Sequence, residues 1–294
     1  MTIPESQLDV WSKQGATVGS ANTHSSLKTA LDRHKWPAGM TYTTYLQGSY
    51  ANATNIRGNS DVDLVVESRS VQYSNLTEGE RRQMSLQPGA FRWADFRREV
   101  IAALVSYYGT NSVKPSNKSV KVLPDSAGNR LLADVVPCIK YVEYKDGTVY
   151  GEGITFWAQN PNEQIKNFPK HHLENGSAKN SLTQTGGWYK PSVRMFKNAR
   201  ERIIGGDDTR RKQFPSYFVE CLHYNVPSNL YGKGYQSTYL GVIEYLARVL
   251  STADSDRFVC QNYKRWLFGA GSTQWNKSDA QAFVAHLIHL WNSW

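Results

Sequence analysis

The chain has 294 residues, 40% of them hydrophobic and 20% charged, which is enough for one large core or for two lobes. A formal charge of +9 suits a polyanionic partner, and the three scattered cysteines Cys138, Cys221 and Cys260 exclude a disulfide framework or a zinc ribbon. With no secretory leader and no apolar run long enough to span a bilayer, the expectation is a cytoplasmic enzyme with no membrane partner.

In chain order, the first 35 residues, including Ser26-Leu-Lys-Thr-Ala-Leu31, read as helices packed behind a sheet. Met40 to Leu46 is rich in aromatic and β-branched residues and predicts a strand. Gln47, Gly48 and Ser49 come directly after it, ahead of a short polar segment that opens a helical turn. Glycine lets a backbone approach a phosphate closely, amides at a helix start attract anions, and the Ser49 hydroxyl adds a donor.

Eleven residues separate Ser49 from Asp61. Gly58-Asn59-Ser60 reads as a turn, and Val62 to Glu67, with Val62, Leu64, Val65 and Val66, reads as a strand. Side chains alternate across a strand, so Asp61 and Asp63 project from one face. Two carboxylates so placed repel each other unless a cation lies between them. Mg²⁺ binds a few carboxylates and fills its remaining positions with water and substrate phosphates, so the pair suits a metal carrying a nucleoside triphosphate.

Phe91 to Tyr108 carries Phe96, Val100, Ile101, Leu104 and Val105 at the spacing of an amphipathic helix. Lys118 to Leu123 reads as a strand and Asp125 to Asn129 as a hairpin turn. Within Leu131 to Val136, Asp134 stands alone among apolar residues, where an unpaired charge is costly to bury. A ligand role explains it, because two-metal phosphoryl chemistry needs a further carboxylate near the attacking hydroxyl.

Ile139 to Tyr144 and Val149 to Thr155 complete a mixed sheet in a first lobe, residues 1–157. Beyond it the pattern turns helical, at Asn162 to Phe168, Lys190 to Ile204, Ser216 to Tyr224, Tyr235 to Leu250 and Asp279 to Trp291, giving a helical lobe over 158–294. The basic clusters at Arg81-Arg82, Arg97-Arg98, Lys197 to Arg202 and Arg210 to Lys212 read as solvated helix faces, and no nucleic-acid groove is indicated. His171-His172 reads as a polar helix end without partners at metal-ligand spacing.

Gly48-Ser49, then Asp61-Val-Asp63, then Asp134 in an apolar run resembles the polymerase-β nucleotidyltransferase superfamily. The wording from Gly48 to Val66, followed by Ala133-Asp-Val-Val-Pro137, is similar to the bacterial CD-NTases, relatives of cyclic GMP-AMP synthase and 2′-5′ oligoadenylate synthase. The resemblance implies an α+β, bilobal polymerase-β-like fold with its active site between the lobes, the helical lobe closing the nucleotide cleft. It further implies a Mg²⁺-dependent synthase (two ions, or Mn²⁺ in their place) that makes a cyclic di- or trinucleotide from nucleoside triphosphates in antiphage (CBASS) signalling, with regulatory or effector proteins of a defence operon as partners.

Within that resemblance Lys197 matches the lysine that reaches the donor triphosphate, Ser216 a serine on phosphate and Tyr217 a tyrosine that stacks on the base. Asp61, Asp63 and Asp134 carry catalysis and metal binding, and Gln47, Gly48 and Ser49 bind nucleotide. The aspartates alone equally fit a transferase with linear products, by RNA tailing or small-molecule adenylylation, and a non-catalytic nucleotide or RNA sensor keeps the same scaffold.

Overall fold

The computed structural model describes residues 2–58, 61–87, 89–271 and 273–294. In chain order the elements are α1 (Glu5–Ser12), α2 (Val18–Asp32), β1 (Tyr42–Leu46), α3 (Gly48–Ala51), β2 (Val62–Ser74), α4 (Glu78–Gln83), α5 (Trp93–Tyr108), β3 (Val113–Pro115) and β4 (Val120–Val122). They continue through β5 (Ala133–Lys145), β6 (Thr148–Gln159), β7 (Asn162–Asn167), α6 (Pro169–Lys179), α7 (Tyr189–Ile204), α8 (Asp208–Gln213), α9 (Ser216–Tyr224), α10 (Tyr235–Val249) and α11 (Lys277–Asn292). Two compact units result, each with its own core: a helical unit of Met1–Gly15, Ala51–Ser60 and Lys170–Trp294, and a sheet unit of Ala16–Tyr50 and Asp61–Pro169.

The sheet unit is built on a mixed sheet in the order β1-β2-β5-β4-β3, with β6 on β5 and β7 on β6. β2 and β5 run parallel, and every other pairing is antiparallel. Period-2 alternation decides what each face carries. Val62 and Leu64 of β2, Ala133 and Val135 of β5, Val120 and Val122 of β4 and Val113 of β3 are buried. They share a core with Leu27, Ala30 and Leu31 of α2 and Phe96, Val100 and Leu104 of α5. Burial of each large apolar side chain contributes about 1.5–3 kcal/mol. Asp63, Asp134 and Lys121, which lie between them, and Lys114, which follows Val113, therefore emerge on the opposite, wetter face.

The helical unit gathers α7, α9, α10 and α11 around Val193, Phe196, Val219, Val242, Leu246, Phe283 and Leu287. The rings of Phe196 and Tyr239 stack at 4.7 Å. α1 belongs to this unit, contributing Leu8 to its core together with the preceding Ile3. The Glu5 carboxylate accepts the first N–H groups of α10, from Tyr235 at 2.6 Å and Gln236 at 2.7 Å, and so satisfies donors that a helix start leaves orphaned.

Several expectations are corrected. Among the described residues of the first 35, α2 shares the sheet unit's core, whereas Ile3 and Leu8 are buried in the helical unit's core. The segment expected as a helix over Asn162 to Phe168 is strand β7, paired with β6 from Gln159↔Asn162 to Ile154↔Asn167. It is an edge strand, so little of it needs to be apolar, and the period-2 signal is faint. The two strands expected at Leu131 to Val136 and Ile139 to Tyr144 are the single long β5, whose early half pairs with β4 and whose later half pairs with β6. Of the turn expected at Gly58-Asn59-Ser60, Asn59 and Ser60 lie outside the described residues.

Candidate active site

Parallel pairing of β2 with β5 sets Asp63 directly opposite Asp134. Directly opposite residues share a face with their side chains in reach of each other, so two carboxylates there are mutually destabilising without a counter-charge. Asp61, two positions earlier, joins them. Partial desolvation pushes its carboxyl up from the ordinary range, the negative charge of Asp134 pushes it further, and the Lys121 ammonium opposes both.

The Gln47 N–H donates to the Asp63 carbonyl at 2.9 Å, fixing the end of β1 beside the aspartates. Gly48 follows with φ of 67°, a left-handed conformation that glycine adopts without the penalty of a side chain. A Cβ here would collide with Asp63 Oδ2. Ser49 then lies in the short turn α3, so the expected helical turn after the glycine is present.

The Ser119 hydroxyl donates to Asp134 Oδ1 at 2.7 Å and is tied in turn to Ser116 Oγ at 2.9 Å. Ser119 escaped the sequence reading. The only signal for it was its position just ahead of the alternating Val120-Lys121-Val122, a pattern that places Lys121 on the wet face.

Gln47, Gly48, Ser49, Asp61, Asp63 and Asp134 are thus brought together in the sheet unit. Among the described residues no group of three or more His, Cys, Asp or Glu side chains forms a ready-made ion cage. The fit to Mg²⁺ is one of donor chemistry and strand placement: hard carboxylate oxygens from neighbouring positions of one sheet face, with mutual repulsion that a cation relieves.

Lys197, Ser216 and Tyr217 lie in the helical unit. Lys197, on α7, is only 2% exposed. Its ammonium is ion-paired with Glu220 of α9 and donates to Thr54, to the carbonyl at 3.2 Å and Oγ1 at 3.1 Å. Thr54 Oγ1 also donates to Glu220 Oε1 at 2.8 Å, and His172 Nε2 lies 3.1 Å from Glu220 Oε2. Burial works to raise the Glu220 carboxyl, but Lys197 and His172 outweigh it and hold the acid well below the usual carboxylate range.

Lys197 is therefore an internal cation with a dedicated counter-ion, and His172 is a buried partner of Glu220 rather than a polar helix end. Ser216 opens α9 and is exposed. The ring of Tyr217 packs 5.0 Å from that of His172 and 5.6 Å from that of Trp275, leaving 38% of the residue exposed.

Known proteins resemble the chain along its whole length. Residues 174–292 match the model of the cGAS/DncV-like nucleotidyltransferase C-terminal helical domain. A cyclic UMP-AMP synthase of Rhodothermus marinus is 44% identical over 298 aligned positions, covering 100% of this chain and 99% of that protein. The chain belongs to the bacterial CD-NTases.

This CD-NTase is a nucleotidyltransferase, and its polymerase-β-like fold is shared across solved relatives. The structure of the R. marinus CdnE c-UMP-AMP synthase with Apcpp and Upnpp superposes with a TM-score of 0.90 at 44% identity, over 99% of this chain and 97% of that one. The Elizabethkingia meningoseptica CdnE cyclic dinucleotide synthase with GTP and Apcpp gives 0.79 at 30% identity, over 98% of each chain. No helix among the described residues of this CD-NTase is long and apolar enough to cross a membrane.

Proposed function

We propose that the chain joins UTP and ATP into a cyclic dinucleotide in the cytoplasm, as an antiphage (CBASS) signal read by effector proteins of its operon. The 44% identity to a cyclic UMP-AMP synthase along the whole chain supports this choice of substrates. The observation that carries the chemistry is Asp63 opposite Asp134 with the Gly48 backbone against Asp63.

Asp61, Asp63 and Asp134 would hold the Mg²⁺ ions, or Mn²⁺, which when bound neutralise charge on the phosphates and stabilise the transferring phosphoryl group. Gln47, Gly48 and Ser49 orient the donor triphosphate through close backbone approach and a hydroxyl donor. Asp134, with Oδ1 held by Ser119, keeps Oδ2 for the proton of the attacking ribose hydroxyl. The hydroxyl oxygen bonds to the donor α-phosphorus as the bond to pyrophosphate breaks, and pyrophosphate leaves with the electron pair. A second transfer of the same kind closes the ring.

In this reading Ser216 donates to phosphate and Tyr217 stacks on a base. Lys197 reaches a phosphate only by releasing Glu220 and Thr54.

Incubation with four labelled nucleoside triphosphates tests the proposal. A phosphatase-resistant product with the mass of cyclic UMP-AMP is expected. A product that phosphatase degrades would point to a linear chain and overturn ring closure. Asp61→Asn combined with Asp63→Asn should abolish pyrophosphate release, and full release by that variant would sink the assignment of the aspartates.

A further inference from the structure

The strand registers define a single cross-strand row that continues past the aspartates. Gln47 N–H meets the Asp63 carbonyl, Asp63 faces Asp134, Asp134 faces Lys121 across β4, and Lys121 faces Lys114 across β3. Directly opposite residues share a face, so two carboxylates are followed on one surface by two ammonium groups. The flanking positions Val113, Val120, Val122, Ala133 and Val135 are all buried on the other face, and Lys114 and Lys121 are both exposed. Strands lie about 4.8 Å apart, so the first lysine stands one spacing beyond Asp134 and the second about 10 Å beyond it.

The order along the row carries the inference. The phosphate turn at Gly48-Ser49 is on the β1 side of Asp63, and the lysines are on the far side of Asp134. Asp134 is the carboxylate next to the attacking hydroxyl, so an anion on the lysines belongs to the molecule that supplies that hydroxyl. In ring synthesis the first acceptor is itself a nucleoside triphosphate, and its highly charged tail needs a site apart from the donor's. Lysine suits such a tail as a mobile point charge.

We infer that Lys121 and Lys114 form a subsite for the triphosphate of the acceptor nucleotide, on the side of Asp134 away from the phosphate turn. The assignment of the tail to an acceptor rests on the nucleotidyl-transfer reading above. A bland alternative is that Lys121 merely compensates the charge of Asp134.

Two measurements separate these. In steady-state assays Lys121→Gln should raise the KM for nucleoside triphosphate and the inhibition constant of inorganic tripolyphosphate about tenfold, with the effect on KM rather than kcat. Lys121→Arg should restore both, and Lys114→Gln should give a smaller rise. In calorimetry with EDTA present, tripolyphosphate should bind the wild type about tenfold more tightly than Lys121→Gln.

A loss confined to kcat, equal tripolyphosphate binding by the two proteins, or no binding by the wild type would overturn the subsite. A short single-stranded RNA titrated alongside separates the other source of phosphate. Loss of RNA binding in Lys121→Gln with tripolyphosphate unaffected would assign the lysines to nucleic acid and sink the inference. If the wild type makes no product from any nucleotide, the transfer reading fails, and the calorimetry still decides whether the lysines bind a polyphosphate.

Discussion

Gly48 and the Asp63 carboxylate occupy the same small space: the left-handed glycine at 67° leaves no room for a side chain before Oδ2 is met. Gly48→Ala therefore carries two penalties, about 1–2 kcal/mol for the backbone conformation and a displaced carboxylate. The expected outcome is a melting temperature lower by a few degrees and pyrophosphate release reduced at least about a hundredfold. Near-normal release would mean that Asp63 tolerates movement.

Ser119 acts on the chemistry through Asp134, by holding one of its oxygens at 2.7 Å. Ser119→Ala should lower kcat about tenfold at unchanged KM, because the Asp134 carboxylate loses the hydrogen bond that fixes its orientation. Ser119→Thr should recover most of the rate. A Ser119→Ala variant with the wild-type kcat would reduce the residue to a packing role.

Glu220 is the counter-ion of a buried ammonium, and removing one partner of such a pair is more costly than removing both. Glu220→Gln should destabilise the protein by about 3–5 kcal/mol in denaturant unfolding, and Lys197→Met added to it should recover part of the loss. The sign with pH follows from the depressed carboxyl. Its contribution is present above the ordinary glutamate range and is lost as pH falls below it, so wild-type stability should drop through pH ~4.5 and below more steeply than that of the double variant.

Lys179 gives the opposite limb. Burial lowers its ammonium to about 8, although it donates to the carbonyls of Tyr224, the last residue of α9, and of Val226 beyond it. Between about 8 in the folded protein and the ordinary lysine value of 10.5, the unfolded chain binds the extra proton, so this residue makes stability rise with pH. Unfolding free energies of wild type and Lys179→Met, compared from pH ~7.5 to ~9.5, should show that rise only in the wild type. Parallel curves would show that the amine is hydrated.

What the sequence made legible follows from range. Asp63 sits near the start of β2 and Asp61 just ahead of it, where the alternation is local, and Asp134 is a lone charge in an apolar run, so all could be placed by neighbours within a few positions. Their mutual register could not be read, because it depends on β2 meeting β5 some 70 residues later at Asp63↔Asp134. The surroundings of Lys197 were equally hidden. Its partners are Glu220 and Thr54, the latter 143 positions away, and a helix periodicity says nothing about who pairs with a buried charge. β7 failed for a different reason: an edge strand has one neighbour and little apolar area, so composition alone favoured a polar helix.

The helical unit is assembled from three stretches of chain, of which Met1–Gly15 is the first and Lys170–Trp294 the last. Synthesis meets them in that order. The whole sheet unit, through Pro169, leaves the ribosome before the core that buries Ile3 and Leu8 has begun to be made. At about 5–20 residues per second, the opening helix waits on the order of 10–30 s for the first of its neighbours and longer for α10, whose N-terminus Glu5 caps. Ile3 and Leu8 thus depend for their burial on side chains that lie some 180 positions and more further along the chain, and a chain stopped short of Lys170 would leave both without that core.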